Sequence, residues 1–62
     1  MTGKDMLKSL RQAGWIVKRV NGSHHHLVHP DHPGKLVTVP VHGYEELDIK
    51  TLHSIRRQAG LK

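Results

Sequence analysis

The stretch "WIVKRVNGSHHHLVH", residues 15–29, decides the fold of this chain. Its first part is rich in β-branched residues and predicts a strand from Trp15 to Val20. Asn21-Gly22 is a strong hairpin signal, because both residues of a tight two-residue turn must accept a positive φ. A second strand is then expected over Ser23 to His29. The stretch therefore predicts an antiparallel β-hairpin with three consecutive histidines on its second strand.

A helix is expected before this hairpin. Thr2 and Asp5 have the spacing of a capping box, in which Asp takes the usual place of Glu. Apolar residues then recur at helical spacing, and Gly14 follows them as a left-handed residue follows the end of a helix. The apolar positions of this helix are Met6, Leu7, Leu10 and Ala13.

A third strand and a second helix are expected after the hairpin. "LVTVPV", residues 36–41, reads as a strand, and its Pro40 favours a sheet edge or a position near a bulge. Asp48 is placed to cap a last helix that ends at Gly60. The apolar residues that share one face of this helix are Ile49, Leu52, Ile55 and Ala59. The order α-β-β-β-α predicts an α+β fold, with a three-stranded antiparallel sheet and two helices on one face.

Length and composition limit the class of protein. A chain of 62 residues makes one domain, residues 1–62, close to the lower size limit of independent folding. It contains no cysteine, which excludes disulfides and thiolate zinc sites and favours a reducing compartment. Neither a run of 18 apolar residues nor the apolar core of a signal peptide is present, so we expect a cytoplasmic protein without membrane attachment.

The charge balance favours a polyanionic partner. Ten Lys and Arg against five Asp and Glu give a net charge of +5, which suits nucleic acid above all, although an acidic protein partner is the alternative. Candidate phosphate contacts are Lys18, Arg19 and Lys35, and on the first helix Lys4, Lys8 and Arg11. For the helical cations, the alternative is the solvated face of an amphipathic helix. Trp15 is expected in the core, and Tyr44 is the other aromatic residue of the sequence. The chain therefore lacks an aromatic platform for stacking bases.

The histidines of the second strand divide between its two faces. Because side chains alternate in a strand, His24 and His26 point one way, and His25 points the other way with Leu27. A strand histidine can be a surface residue without a role. His24 and His26 could also bind a metal if a third ligand such as His42 converged on them. We expect no metal here, because two imidazoles make an incomplete site.

Three motifs together carry a family resemblance. "GSHHHLVHP", residues 22–30, "TVPVH", residues 38–42, and "IRRQAGL", residues 55–61, follow one another in an order that resembles the HicA family of toxin ribonucleases. The resemblance implies a fold like the double-stranded-RNA-binding domain. It also implies cleavage of mRNA without a metal or other cofactor, and neutralisation by a HicB-like antitoxin in a heteromeric complex.

The resemblance also implies a site. The catalytic histidine of the family follows Gly-Ser, and here that position is His24. Gly22 and Ser23 are candidate RNA contacts, with two alternatives: Gly22 is required by the turn conformation, and Ser23 could bond either the backbone there or the phosphate. The chemistry suits a histidine, since RNA supplies its own 2′-hydroxyl nucleophile and requires proton transfer and positive charge. The resemblance assigns no role to the neighbouring histidines, and the second proton-transfer role is left open: it could fall to another histidine (His25, His26 or His42), to water, or to no group. A non-catalytic module that binds structured RNA remains the alternative function.

Overall fold

A computed structural model describes residues 1–61 as two helices and three strands in the order α-β-β-β-α. The elements are α1 (Gly3–Gln12), β1 (Ile16–Asn21), β2 (His24–Val28), β3 (Val37–Pro40) and α2 (Ile49–Gln58). β2 is the central strand and pairs antiparallel with both β1 and β3. The predicted fold is confirmed. Across residues 1–61, no helix has the length and apolar character that crossing a membrane requires.

The predicted signals at the helix ends are confirmed. The Thr2 hydroxyl accepts the Asp5 N–H at 3.2 Å, and the Asp5 carboxylate accepts the Thr2 N–H at 3.1 Å. This capping box satisfies two N–H groups that a helix start otherwise leaves unpaired. Asp48 accepts a backbone N–H of the first turn of α2 at 3.2 Å. Gly14 and Gly60 follow the two helices with φ of 99° and 72°, which an L side chain rarely adopts.

Both helices pack on the same face of the sheet. The core between them consists of Met6, Leu10, Trp15, Leu27, Val37, Val39, Ile55 and Ala59. The prediction that Trp15 lies in the core is confirmed, although β1 begins one residue after it. Of the four apolar residues that share a face of α2, Ile49 lies outside the core, since its side chain is 65% exposed. Burial increases along α2 through half-buried Leu52 to buried Ile55, so the first turn extends past the core.

The turn of the hairpin lies one residue later than predicted. Asn21 belongs to β1 and pairs with His24, so the two turn residues are Gly22 and Ser23. Gly22 has a φ of 62°, and within residues 1–61 only glycines have a positive φ, which fits a type II′ pattern. Burial explains the shift, because the observed register pairs Val17 with Leu27 on the core face. An Asn21-Gly22 turn with regular pairing would have set Val17 opposite a histidine.

A β-bulge in β1 makes this register possible. Arg19 pairs with His26 and Val17 pairs with Leu27, so Lys18 is one extra residue on the β1 side. Two residues of β1 therefore oppose His26 alone, which is the arrangement that defines a bulge. Pro40 is the last residue of β3, and β3 is an edge strand, as the proline predicted.

Candidate active site

His24 opens β2 on the sheet face that the helices leave uncovered. Leu27 is fully buried against the helices, so strand alternation places His24 and His26 on the opposite, open face. His24 is exposed and lies between Asn21 of β1 and Pro40 of β3. Its imidazole makes no hydrogen bond within residues 1–61, so the ring is free to meet a ligand on this face.

The turn before His24 is held against the end of β3. The Ser23 carbonyl accepts the Val41 N–H at 2.8 Å, which extends the pairing beyond Pro40. A Cβ added to Gly22 would meet nothing within 4 Å, so the positive φ, rather than lack of space, requires glycine there. The backbone therefore explains Gly22 and Ser23 without a ligand.

His26 lies in the next row of the open face and is held in place there. Its Nδ1 lies 3.0 Å from the Thr38 hydroxyl on β3, and Arg19 is its pairing partner on β1. A shallow depression on this face is lined by Lys18, Arg19, His26 and Leu36. The bulge thus brings two cations to the edge of one half-buried imidazole.

The open face carries positive charge without opposing carboxylates. None of the three strands contains an Asp or a Glu, whereas β1 contributes the exposed Lys18 and Arg19. The acidic residues of the chain lie instead on α1 or in loops and caps. This arrangement suits an anionic ligand, since a phosphate would meet no like charge on the strands.

The two other predicted secondary histidines lie elsewhere. His25 is half-buried on the core face opposite Val39, and its Nδ1 is buried without a hydrogen-bond partner in the described part of the chain. It cannot share a ligand with His24 across the sheet. His42 is exposed in the loop after β3, next to Val41, whose N–H donates to the Ser23 carbonyl of the turn. In residues 1–61, no three His, Asp or Glu side chains are grouped as metal ligands.

The other predicted phosphate contacts lie apart from His24. Lys4, Lys8 and Arg11 are exposed on α1, which packs on the opposite face of the sheet. The Lys4 ammonium lies 4.8 Å from the centroid of the Tyr44 ring. Lys35 precedes the start of β3, near Gln58 of α2, whereas His24 adjoins the end of β3. Of the predicted cations, the structure therefore brings only Lys18 and Arg19 to the strand face of His24.

Two structurally important side chains were not predicted. Thr38 orients His26 through its hydroxyl. The sequence signal for this residue is a hydroxyl side chain between two valines of the third strand. His29 joins β2 to the end of α1: its Nδ1 accepts the Asp31 N–H at 3.0 Å, so its Nε2–H donates to the Ala13 carbonyl at 2.9 Å. The ring also lies edge-on to Trp15, 5.2 Å between centroids. His29 is therefore a structural histidine.

Comparison with known families supports the resemblance seen in the motifs. A family model described as "HicA toxin of bacterial toxin-antitoxin" matches residues 3–61, a range that includes both helices and all three strands. No curated protein matches the chain.

Proposed function

This chain belongs to the HicA family of bacterial toxins, and from that premise we propose that it is a metal-independent endoribonuclease that cleaves mRNA and so inhibits translation. The observation that carries the proposal is the exposed His24 on an open sheet face that bears two cations and no carboxylate. A polyanion with a reactive phosphate is the ligand that such a face suits best.

The proposed reaction uses a nucleophile that the substrate carries. The 2′-oxygen of RNA attacks the adjacent phosphorus, its O–P bond forms, and the P–O5′ bond breaks to leave a 2′,3′-cyclic phosphate and a 5′-hydroxyl. His24 contacts the reacting phosphodiester and carries out one of the two proton transfers, removal of the 2′-hydroxyl proton or delivery of a proton to the leaving 5′-oxygen, and a second group or water carries out the other. Lys18 and Arg19 hold a phosphate and offset the negative charge that develops on the phosphorane. No water has to be activated as the nucleophile, so the reaction as written requires no metal.

We also propose that a HicB-like antitoxin neutralises the protein in a heteromeric complex in the cytoplasm. The open face combines exposed apolar side chains, Ile16 at 57% and Leu36 at 50%, with the cations Lys18 and Arg19. A partner with acidic groups around an apolar centre would fit this face and occupy the place of the RNA.

Cleavage by the native chain and by His24→Ala tests the proposal. Both are incubated with RNA in the presence of a chelator, at equal folded concentration verified by circular dichroism. We expect the native chain to cleave and His24→Ala to be slower by about 10²- to 10⁴-fold, the usual contribution of one proton-transfer group. His53→Ala, which changes an exposed histidine on α2, is the matched control and should cleave normally.

The other outcomes identify the competing functions. Equal cleavage by the native chain and His24→Ala would remove His24 from the chemistry. Activity that a chelator abolishes would show a metal-dependent enzyme instead. RNA binding without cleavage by any variant would favour the non-catalytic module for structured RNA.

A further inference from the structure

His26 is a second histidine on the open face, and the structure orients it more firmly than His24. Its Nδ1 is within hydrogen-bond distance of the Thr38 hydroxyl, 3.0 Å away, whereas the His24 ring has no such partner within residues 1–61. It also faces the depression that Lys18 and Arg19 line. His26 is thus an ordered imidazole beside two cations. Holding it in one rotamer costs conformational entropy, which its contacts must offset.

Because the Thr38 hydroxyl occupies Nδ1 of His26, Nε2 is the ring nitrogen left to exchange a proton with a ligand. A hydroxyl oxygen can accept the Nδ1–H of the imidazolium, and also that of the neutral form that has lost its Nε2 proton. Thr38 can therefore keep the same hydrogen bond before and after proton transfer. Nε2 is then the atom that gives up or takes a proton, on the side of the ring away from Thr38.

The position of His26 relative to His24 suits two-sided proton transfer. The two residues share one face of β2 and are two positions apart, which places their Cα atoms about 6.6 Å from each other at a rise of about 3.3 Å per residue. Two imidazoles at this spacing can flank one phosphodiester. His25, between them, points to the core face and cannot take this role.

We propose that His26 is the general acid of the cleavage reaction and that His24 is its general base, an inference that rests on the proposed ribonuclease function. His24 takes the proton of the 2′-hydroxyl as the 2′-O–P bond forms. His26 gives its Nε2 proton to the 5′-oxygen as the P–O5′ bond breaks. Lys18 and Arg19, displayed by the bulge, hold the phosphate so that the leaving oxygen meets Nε2. Thr38 is a positioning residue that acts through His26.

A substrate whose leaving group needs no proton tests this division of roles. An oligoribonucleotide is made with sulfur in place of the bridging 5′-oxygen at the linkage that the native chain cleaves. Because thiols are far more acidic than alcohols, a thiolate departs without a general acid. We expect His26→Ala to slow single-turnover cleavage of the all-oxygen RNA by at least about 10²-fold. On the sulfur substrate its rate should come within about tenfold of the native rate, which is the signature of a missing acid.

The remaining variants separate the possible failures. His24→Ala should be slow on both substrates, and His53→Ala should match the native chain on both. If His26→Ala cleaves the all-oxygen RNA normally, or is equally slow on both substrates, His26 is not the acid. If the native chain cleaves neither substrate, the proposed function itself fails and the inference falls with it.

Thr38 provides a second test that does not remove the histidine. Thr38→Val keeps the branched shape of the side chain but cannot accept the Nδ1–H, so we expect slower cleavage and a displaced pH–rate profile for the all-oxygen RNA. Thr38→Ser restores a hydroxyl and should restore both the rate and the profile. A Thr38→Val chain with the native rate and profile would show that the 3.0 Å contact has no part in the reaction.

Discussion

The absence of a Cβ atom at Gly3 determines how closely α1 packs against β3. Gly3 is the first residue of α1, and it is buried because the end of β3 passes beside it. A Cβ there would overlap the Pro40 carbonyl oxygen and lie 3.0 Å from the Cα of Val41. These are backbone atoms, which cannot rotate away as the end of a flexible side chain can. The helix therefore lies closer to β3 than any larger residue would allow.

We expect Gly3→Ala to lower the free energy of unfolding by about 1–3 kcal/mol, the usual cost of overpacking. Helix propensity alone gives the opposite sign, since alanine is favoured over glycine by about 1 kcal/mol in a helix interior. Urea denaturation would decide between them. Gln12→Ala, at the exposed end of α1, is the control and should change stability by no more than about 0.5 kcal/mol. A Gly3→Ala chain as stable as the native one would contradict the close approach.

At the scale of the elements, the capping box links the stability of α1 to pH. The pKa of Asp5 is lowered from its ordinary value of 3.8, mainly by the hydrogen bond that its carboxylate accepts from the Thr2 N–H and further by the neighbouring Thr2 side chain. A carboxyl group with a lowered pKa in the folded state stabilises the fold above its ordinary pKa. That contribution decreases as pH falls from the ordinary pKa through the lower pKa of the folded state, because over this range the unfolded chain binds a proton more readily.

Asp5→Asn isolates this charge, since asparagine can still accept the Thr2 N–H but does not titrate. We expect the native chain to be more stable than Asp5→Asn at pH 5 to 7 by an amount that hardly changes with pH. The difference should shrink below about pH 4, where the carboxyl begins to protonate in the unfolded chain. Urea denaturation across this range measures it. A difference that stays constant, or grows toward acid, would show that the lowered pKa of Asp5 does not contribute.

The elements that could be predicted from the sequence are those with local signals. Thr2 and Asp48 mark the starts of the two helices by their own hydrogen-bonding chemistry, and these bounds are confirmed. The bulge at Lys18 has no such signal. It exists because Val17 must join Leu27 on the buried face, and that requirement depends on the packed helices. The turn was misplaced by one residue for the same reason.

The candidate site was predictable only in part, for a related reason. His24 could be singled out because a contiguous motif surrounds it. The contact between His26 and Thr38 joins residues 12 apart on neighbouring strands, so it depends on register rather than on sequence spacing. The same register brings Lys18 and His26 to one depression, whereas the sequence alone did not separate Lys18 from the other candidates Lys4, Lys8 and Lys35.

At the scale of the whole molecule, positive charge lies on two opposite sides. One side is the open sheet face with Lys18 and Arg19. The other is the helix side, where α1 carries Lys4, Lys8 and Arg11 and α2 carries Lys50, Arg56 and Arg57. A single phosphodiester on the sheet cannot contact both. The proposed cleavage requires RNA on the sheet face, whereas a module for structured RNA could bind through the helix instead.

Charge reversal on each side separates these two modes of binding. We expect Lys18→Glu to weaken RNA binding and to reduce the slope of affinity against salt by about one, as the loss of one phosphate contact should. Lys8→Glu makes the same change in net charge on α1 and is the matched control. It should leave the salt slope close to the native value. If Lys8→Glu weakens binding more than Lys18→Glu does, RNA binds through α1 and the cleavage proposal loses its surface.

The bulge in β1 has a further consequence, for self-association. β1 is an edge strand, and a regular edge presents unpaired backbone groups on which a second copy of the chain can add a strand. The extra residue distorts that row of groups, and two neighbouring cations repel an identical edge. The insertion that displays Lys18 and Arg19 to a ligand therefore also disfavours aggregation through the β1 edge of the sheet.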